Sequence, residues 1–239
     1  MKRFAAVFLA AASLLLSGCS RRGGKIAGEY YALADSYAAQ SARSGSYLLE
    51  ITSEGGTAVY SASGSFECNI DAGTASTEFT QSWLGFSSKA ANEFADGVLT
   101  TAVDGESENS ERKAEGLFAA FPYYAPYKFK PEDLIGAETY ENAGGVVYTL
   151  RFNADREFYE KTVGTELYAL VPTLKSPLPE KTVYGPASVA ATSAGGKLTG
   201  FEYSFEVSLY DKPSYTPGYS RPESDFVTVL KVRANVRIS

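Results

Sequence analysis

The sequence contains no histidine and only two cysteines. Without histidine, a Ser-His-Asp triad, a Cys-His pair and histidine-based zinc sites are excluded. The apolar run from Phe4 to Leu16 is shorter than the ~20 residues that a membrane-spanning helix needs, and no later run approaches that length. The chain therefore shows neither the common hydrolase machinery nor a transmembrane segment.

Positive charge is also scarce, because 28 acidic residues face 22 basic ones and the net charge is −6. Residues 1–18 carry two cations and no acid, so a chain from which a signal peptide of that length had been cleaved would have a net charge of about −8. An acidic surface argues against nucleic acid as a partner and against broad adhesion to anionic lipid. The local exception is Arg21, Arg22 and Lys25, which either contact lipid headgroups or belong to a solvated leader.

The start of the chain carries the clearest motif. Two cations precede the apolar run, and Leu16-Ser17-Gly18-Cys19 follows it directly. This order predicts a signal peptide over residues 1–18. The motif resembles the lipobox of bacterial lipoproteins, which implies that Cys19 is acylated, becomes the first mature residue and anchors the protein to a membrane. The alternative is an ordinary secretory signal in which Cys19 is incidental.

A single domain is predicted for residues 26–239, after a flexible lipidated tether over residues 19–25. Apolar residues recur with helical spacing over residues 26–42, and the period then changes to two. The alternation predicts a meander of strands, with Asp96-Gly97 and Asp104-Gly105 as hairpin turns. On the strand over residues 58–70 the even positions are apolar, and this predicts that Cys68 is a buried structural thiol.

The sequence pattern in the second half of the chain predicts a further helix and longer strands. Prolines interrupt an aromatic stretch over residues 117–131, which is either a lid or, as we favour, an edge of the core. A helix is expected after Asn153 or Asp155, with Tyr159, Val163, Leu167 and Leu170 on one side. A strand near 182–192 precedes two long strands, and the last of these covers residues 226–238. Their alternation directs Phe201, Tyr203, Phe205, Leu230 and Val232 to one face.

The order of these elements is similar to that of half-barrel lipoproteins of the LolA/LolB and LppX/LprG type. The resemblance rests on architecture, the lipobox and the hairpin Asp96-Gly97-Val98-Leu99. It implies an α+β fold in which a large curved antiparallel sheet, a half-open β-barrel, has an N-terminal and a mid-chain helix over its concave face. It further implies a cavity for acyl chains. The alternation of the two long strands makes the five residues above the candidate lining of such a cavity. A completely filled core is the alternative.

The remaining motifs predict no catalysis and no cofactor. Ser110-Glu111-Arg112-Lys113 matches a nucleophile pattern but lacks its companion motifs. The acids of residues 104–111 lack the order of a calcium loop, and Glu202 and Glu206 share a wet face by alternation alone. The resemblance to half-barrel lipoproteins implies that the expected function is binding of a lipid or another hydrophobic ligand. The alternative is a cell-envelope interaction or scaffold module that uses the Pro-Tyr segment 215–219. The sequence leaves the oligomeric state open.

Overall fold

The structure is a computed structural model that describes residues 22–83, 85–111, 126–154, 158, 181–210 and 227–239. Helix α1 spans residues 22–38, and a short 3-10 helix spans Pro131–Asp133. The strands are β1 Ala42–Ser53, β2 Ala58–Asn69, β3 Thr74–Trp83, β4 Phe86–Ala95, β5 Val98–Val103, β6 Glu106–Glu111, β7 Leu134–Asn142, β8 Gly145–Phe152, β9 Lys181–Tyr184, β10 Ala187–Ala194, β11 Lys197–Tyr210 and β12 Val227–Ile238.

The twelve described strands form one antiparallel sheet, which does not close within the described residues. The order is β6-β5-β4-β3-β2-β1-β12-β11-β10-β8-β7, and β9 pairs with β11 beyond the end of β10. The N-terminal meander and the C-terminal strands meet where β1 pairs with β12 over nine residue pairs. This arrangement confirms the predicted α+β half-barrel with one continuous sheet.

Helix α1 packs on one face of the sheet, which we call the inner face. Its stripe of Ile26, Tyr30, Leu33 and Tyr37 is buried, as the helical spacing predicted. At its end the Arg43 guanidinium donates hydrogen bonds to the carbonyls of Ala38 and Gln40, at 3.0 Å for the latter. These bonds satisfy carbonyls that no longer have helical partners.

The limits of α1 correct two predictions. The helix begins at residue 22, so the expected tether over residues 19–25 is wrong from residue 22 onward. The Gly23-Gly24 pair indicated flexibility, but Gly23 is buried and lies beside Leu134. The expected end at residue 42 is also wrong, because Ala42 already belongs to β1.

The predicted hairpin turns are confirmed by their backbone angles. Asp96 and Gly97 have φ of 51° and 79°, and Asp104 and Gly105 have φ of 50° and 93°. Two consecutive positive φ angles characterise the type I′ turn, whose twist matches that of the flanking strands.

Other strand limits differ from the prediction. The strand expected near 182–192 is two strands, because Pro186 has no N–H to donate to the ladder. Strand β2 ends at Asn69, so Ile70 is exposed, and a register shift beside Thr52 leaves Ala58 exposed as well. Strands β6 and β7 were not predicted individually, since neither alternates between apolar and polar residues.

Several predicted features lie outside the described residues. These are the leader with Cys19, the aromatic stretch before residue 126, the Pro-Tyr segment 215–219, and the mid-chain helix except for the helical Phe158. Among the helices that the structure does describe, none is both long and apolar enough to cross a membrane.

Candidate functional site

The inner face carries continuous rows of side chains, because directly opposite residues of antiparallel strands point to the same side. One row crosses six strands from β11 to β4. Its members are paired in sequence across the sheet: Phe205, Val232, Ile51, Tyr60, Trp83 and Phe86. A second row starts at Phe201 and ends at Val103 on β5. These rows run from the centre of the sheet to strands β3, β4 and β5, which we call the wing.

At the centre, the inner face is filled. The predicted lining residues lie in the hydrophobic core and are only 0–4% exposed: Phe201, Tyr203, Phe205, Leu230 and Val232. The ring of Phe158 packs edge-on against Tyr203 and Phe205, with ring centroids 5.4 and 5.3 Å apart. The structure therefore brings the five residues together as predicted, under side chains that cover them.

An aromatic cluster that includes Tyr30, Phe129, Phe152 and Phe158 forms this cover. Phe129 stacks on Phe152 with centroids 4.3 Å apart and planes 10° apart. Tyr30 and Tyr31 of α1 donate hydrogen bonds to the carbonyls of Tyr127 and Phe129, at 2.7 and 2.6 Å. The described end of the aromatic stretch, residues 126–130, thus belongs to the core edge that we favoured over a lid.

The buried tyrosines of this cluster have shifted acidities. Burial, followed by the neighbouring Tyr203, raises the pKa of Tyr30 well above its ordinary value. Burial also raises the pKa of Tyr203, although hydrogen bonds to its hydroxyl, including one from the Tyr127 N–H, oppose the shift. Both hydroxyls are therefore neutral at physiological pH and act as structural hydrogen-bonding groups.

The inner face of β3, β4 and β5, which we call the wing face, is covered at Phe94 and Ala90 but open at other positions. Phe79, Trp83 and Leu99 are half-buried there, Val103 is 40% exposed and Phe86 is 82% exposed. The row that is fully buried at Ile51 therefore emerges into solvent at Phe86. Sequence reasoning noted the alternation up to Trp83, but no local signal distinguished covered positions from open ones.

Between the apolar rows, the wing face carries uncharged polar side chains. Gln81 donates to the Ser88 hydroxyl at 3.0 Å, and Asn92 donates to the Thr77 hydroxyl at 3.2 Å. The indole N–H of Trp83 is buried and has no hydrogen-bond acceptor in the described part of the chain. The wing face thus combines exposed aromatic surface with neutral hydrogen-bonding groups.

The opposite side of the sheet, the outer face, is polar. Glu202 accepts hydrogen bonds from Arg233 at 2.8 Å and Asn235 at 2.9 Å. Burial works against ionisation of this carboxyl, but the two donors and the Arg233 charge lower its pKa. Glu206 lies 3.7 Å from Lys231. Each glutamate is thus paired with a cation, which does not favour an acid–base pair for glycoside hydrolysis.

Cys68 is a buried free thiol, as predicted. Burial raises the pKa of this thiol, while the Arg43 charge and a hydrogen bond from the Arg43 backbone oppose the shift. It lines a cleft of about 530 Å³ at the end of β1 to β4. No group of three His, Cys, Asp or Glu side chains within the described residues could hold a metal ion.

Comparison with known proteins gives little beyond this geometry. No family model and no curated protein matches the chain. A solved structure of an outer membrane lipoprotein-sorting protein domain from Vibrio parahaemolyticus is similar at 8% identity, over 92% of this chain and 91% of that one, with a TM-score of 0.26. An N-terminal dehydratase from the difficidin assembly line is similar at 9% identity, over 81% and 77%, with a TM-score of 0.13. Because both TM-scores lie below 0.5, we argue function from this chain alone.

Proposed function

We propose that this chain is a non-catalytic lipoprotein of the bacterial cell envelope, anchored outside the cytoplasm through acylated Cys19, that binds a lipid or another hydrophobic ligand on the inner face of its sheet. The observation that carries the proposal is the apolar row that leaves the core at Tyr60 and ends at the 82%-exposed Phe86. An acyl chain along this row would extend the apolar core into the wing.

The energetics support a ligand on the wing face. Complete burial of a phenylalanine side chain contributes about 1.5–3 kcal/mol of binding free energy. Each aromatic side chain offers about 150–250 Å² of contact area. Phe79, Trp83 and Phe86 together would therefore give several kcal/mol to a ligand that covers them. The neutral amide of Gln81 can hydrogen-bond the polar end of such a ligand.

The five residues first predicted to line the cavity take an indirect role in this proposal. Phe201, Tyr203, Phe205, Leu230 and Val232 form the wall on which α1 and the aromatic cluster rest. A ligand would meet this wall only beside the helix. Direct contact belongs to Phe79, Trp83 and Phe86.

Trp83 provides the test, since it is the single tryptophan of the chain. We expect a brominated fatty acid to quench Trp83 fluorescence saturably, and Phe86→Ser to weaken this binding roughly tenfold because an apolar contact is lost. Val98→Ser is the matched control, because Val98 is an exposed apolar residue on the outer face of the same wing. Quenching that does not saturate, or equal loss in both variants, would contradict the proposal.

The anchor requires a separate test. Cys19→Ser should release the protein from the membrane fraction or leave it uncleaved, because acylation and processing both need the thiol. Mass spectrometry of the wild-type N-terminus should detect an acylated Cys19. A Cys19→Ser protein of mature size that still fractionates with membranes would rule out the lipid anchor without affecting the ligand proposal.

The filled centre of the inner face favours a second candidate, an envelope interaction module without a small ligand. In that case the exposed Phe86 would contact a protein partner. Crosslinking from residue 86 would capture a defined protein, and native mass spectrometry would find no bound lipid. Bound lipid without a crosslinked partner would exclude this candidate.

A further inference from the structure

The outer face contains a cleft that the proposed function does not use. Its volume is about 520 Å³, which lies within the usual range for small-molecule sites. The floor consists of small residues, Pro186, Ala187, Ser188 and Ser204, and the walls are the long side chains of Glu50, Arg151, Glu206, Lys231 and Arg233.

The register places the polar groups of the cleft in one row. Arg151, Ser188, Ser204, Arg233 and Glu50 lie directly opposite one another on five adjacent strands. At ~4.8 Å between strands, the Cα atoms of Arg151 and Arg233 are about 14 Å apart, with the two serines between them. In the neighbouring row the Gly185 N–H donates to the Glu206 carbonyl oxygen at 3.0 Å, and Gly185 adds no side chain to the lining.

The cations of the cleft are not equivalent. Arg233 is bonded to Glu202 at 2.8 Å, and Lys231 lies 3.7 Å from Glu206. Arg151 is exposed and has no ion-pair partner in the described part of the chain. It is therefore the cation whose donors are available to a ligand.

The serine hydroxyls add a donor at the floor. Ser188 Oγ and Ser204 Oγ are 2.7 Å apart, so one hydroxyl donates to the other. Ser188 Oγ also lies 3.4 Å from the Ser204 carbonyl oxygen, which is a long contact, so the second hydroxyl hydrogen can turn from this carbonyl to a stronger acceptor in the cleft. The acids Glu50 and Glu206 lie across the cleft from Arg151 and restrict where a negative charge can sit.

We propose that this cleft binds a compact oxyanion, a carboxylate or a phosphate group, between the Arg151 guanidinium and the Ser188–Ser204 hydroxyl pair. The planar guanidinium can hold such a group through two parallel hydrogen bonds. Glu50 and Glu206 exclude a second anion from the far side. This site is on the opposite face from the wing and does not depend on the anchor.

The test is a titration of the protein with inorganic phosphate and with acetate, followed in ¹H–¹⁵N spectra. We expect saturable shifts at the amides of Arg151, Ser188 and Ser204. Arg151→Gln should weaken binding of the better anion at least tenfold, and Arg151→Lys should recover part of it, because a lysine keeps the charge but loses the bidentate geometry. Since Arg151 is exposed, the melting temperature should not change.

Arg237→Gln is the matched control, because Arg237 is an exposed cation of the outer face that does not line the cleft. It should leave the affinity within about twofold. Equal weakening in both variants, or shifts that grow linearly with either anion, would overturn the proposal. A further arm compares phosphatidylglycerol with phosphatidylcholine vesicles. Arg151-dependent preference for the former identifies a lipid headgroup as the source, and saturation by the free anion alone identifies a solute.

Discussion

The absence of a side chain at Gly64 allows strand β3 to approach strand β2 closely. Gly64 on β2 faces the inner side between Tyr47 and Phe79. A Cβ atom there would overlap the carbonyl oxygen of Glu78 and lie 2.6 Å from the Cβ of Phe79. Glycine in a strand interior often marks such a close approach of two backbones. Gly64 therefore allows β3 to approach β2 at the point where the wing begins.

We expect Gly64→Ala to lower the free energy of unfolding by about 1–3 kcal/mol, since the added methyl must displace backbone. Gly28→Ala is the control, because Gly28 is exposed on α1 and has open space around it. That variant should gain about 0.5–1 kcal/mol through helix propensity. Urea denaturation measures both, and shifts of the same sign in the two variants would contradict the account.

Two buried tyrosines should respond differently to loss of the hydroxyl. Tyr203 Oη accepts a hydrogen bond from the backbone N–H of Tyr127, whereas the buried Tyr37 Oη has no partner in the described structure. Tyr203→Phe should cost about 1–3 kcal/mol, because an N–H loses its acceptor. Tyr37→Phe should be neutral or stabilising, because no hydrogen bond is lost. Thermal denaturation distinguishes the two, and a larger loss for Tyr37→Phe would be inconsistent with these roles.

At the scale of the elements, the two ends of the sheet are protected by charge. Among the described strands, β6 ends the sheet beside β5 and exposes Glu106, Glu108 and Glu111. Strand β7 is the other edge and exposes Glu138 and Glu141. Because both edges are acidic, pairing between two copies would bring like charges together.

We expect the triple variant Glu106→Gln, Glu108→Gln, Glu111→Gln to self-associate more strongly than the wild type, because the edge loses its repulsion. The control neutralises Glu67, Glu78 and Glu93, which are exposed on the interior strands β2, β3 and β4. It changes the net charge equally. Sedimentation velocity measures both, and equal association would mean that net charge, not the edge, controls solubility.

Some helices, strands and turns of this fold are determined by local sequence, and others depend on contacts with distant residues. The Asp-Gly turns at 96–97 and 104–105 could be predicted, because type I′ geometry depends on two adjacent residues. The start of α1 could not, since Gly23 is buried beside Leu134, more than a hundred positions away. Similarly, β6 has no apolar alternation and is a strand only because β5 pairs with it.

The candidate site shows the same limit. The pattern placed Phe205 and Val232 on the inner face correctly, because alternation determines the side of a strand. It could not say that they are covered while Phe86 of the same row is exposed. Coverage depends on where α1 and the aromatic cluster pack, which is a property of the whole domain. The Arg151 cleft depends on the register of five strands and has no signature along the chain.

For the whole molecule, the tyrosine-rich core predicts sensitivity to alkaline pH. Burial is the main cause that raises the pKa of Tyr31 and of Tyr37 to about 12, and it raises the pKa of Tyr30 and Tyr203 as well. In the unfolded chain these groups ionise near ~10. The native state thus keeps protons that the unfolded state releases, so the stabilisation from these tyrosines is complete below pH ~10 and is lost as the pH rises toward 12.

We therefore expect the free energy of unfolding to be constant around pH 8 and to decrease between pH 10 and 12, by up to ~1.4 kcal/mol per pH unit for each fully buried group. Urea titrations at pH 8, 10 and 11 measure this slope. Tyr37→Phe removes one of the shifted groups and should make the slope shallower than in the wild type. Because ionisation of lysines affects both proteins equally, the difference between the slopes isolates Tyr37, and identical slopes would show that its hydroxyl titrates normally in the folded domain.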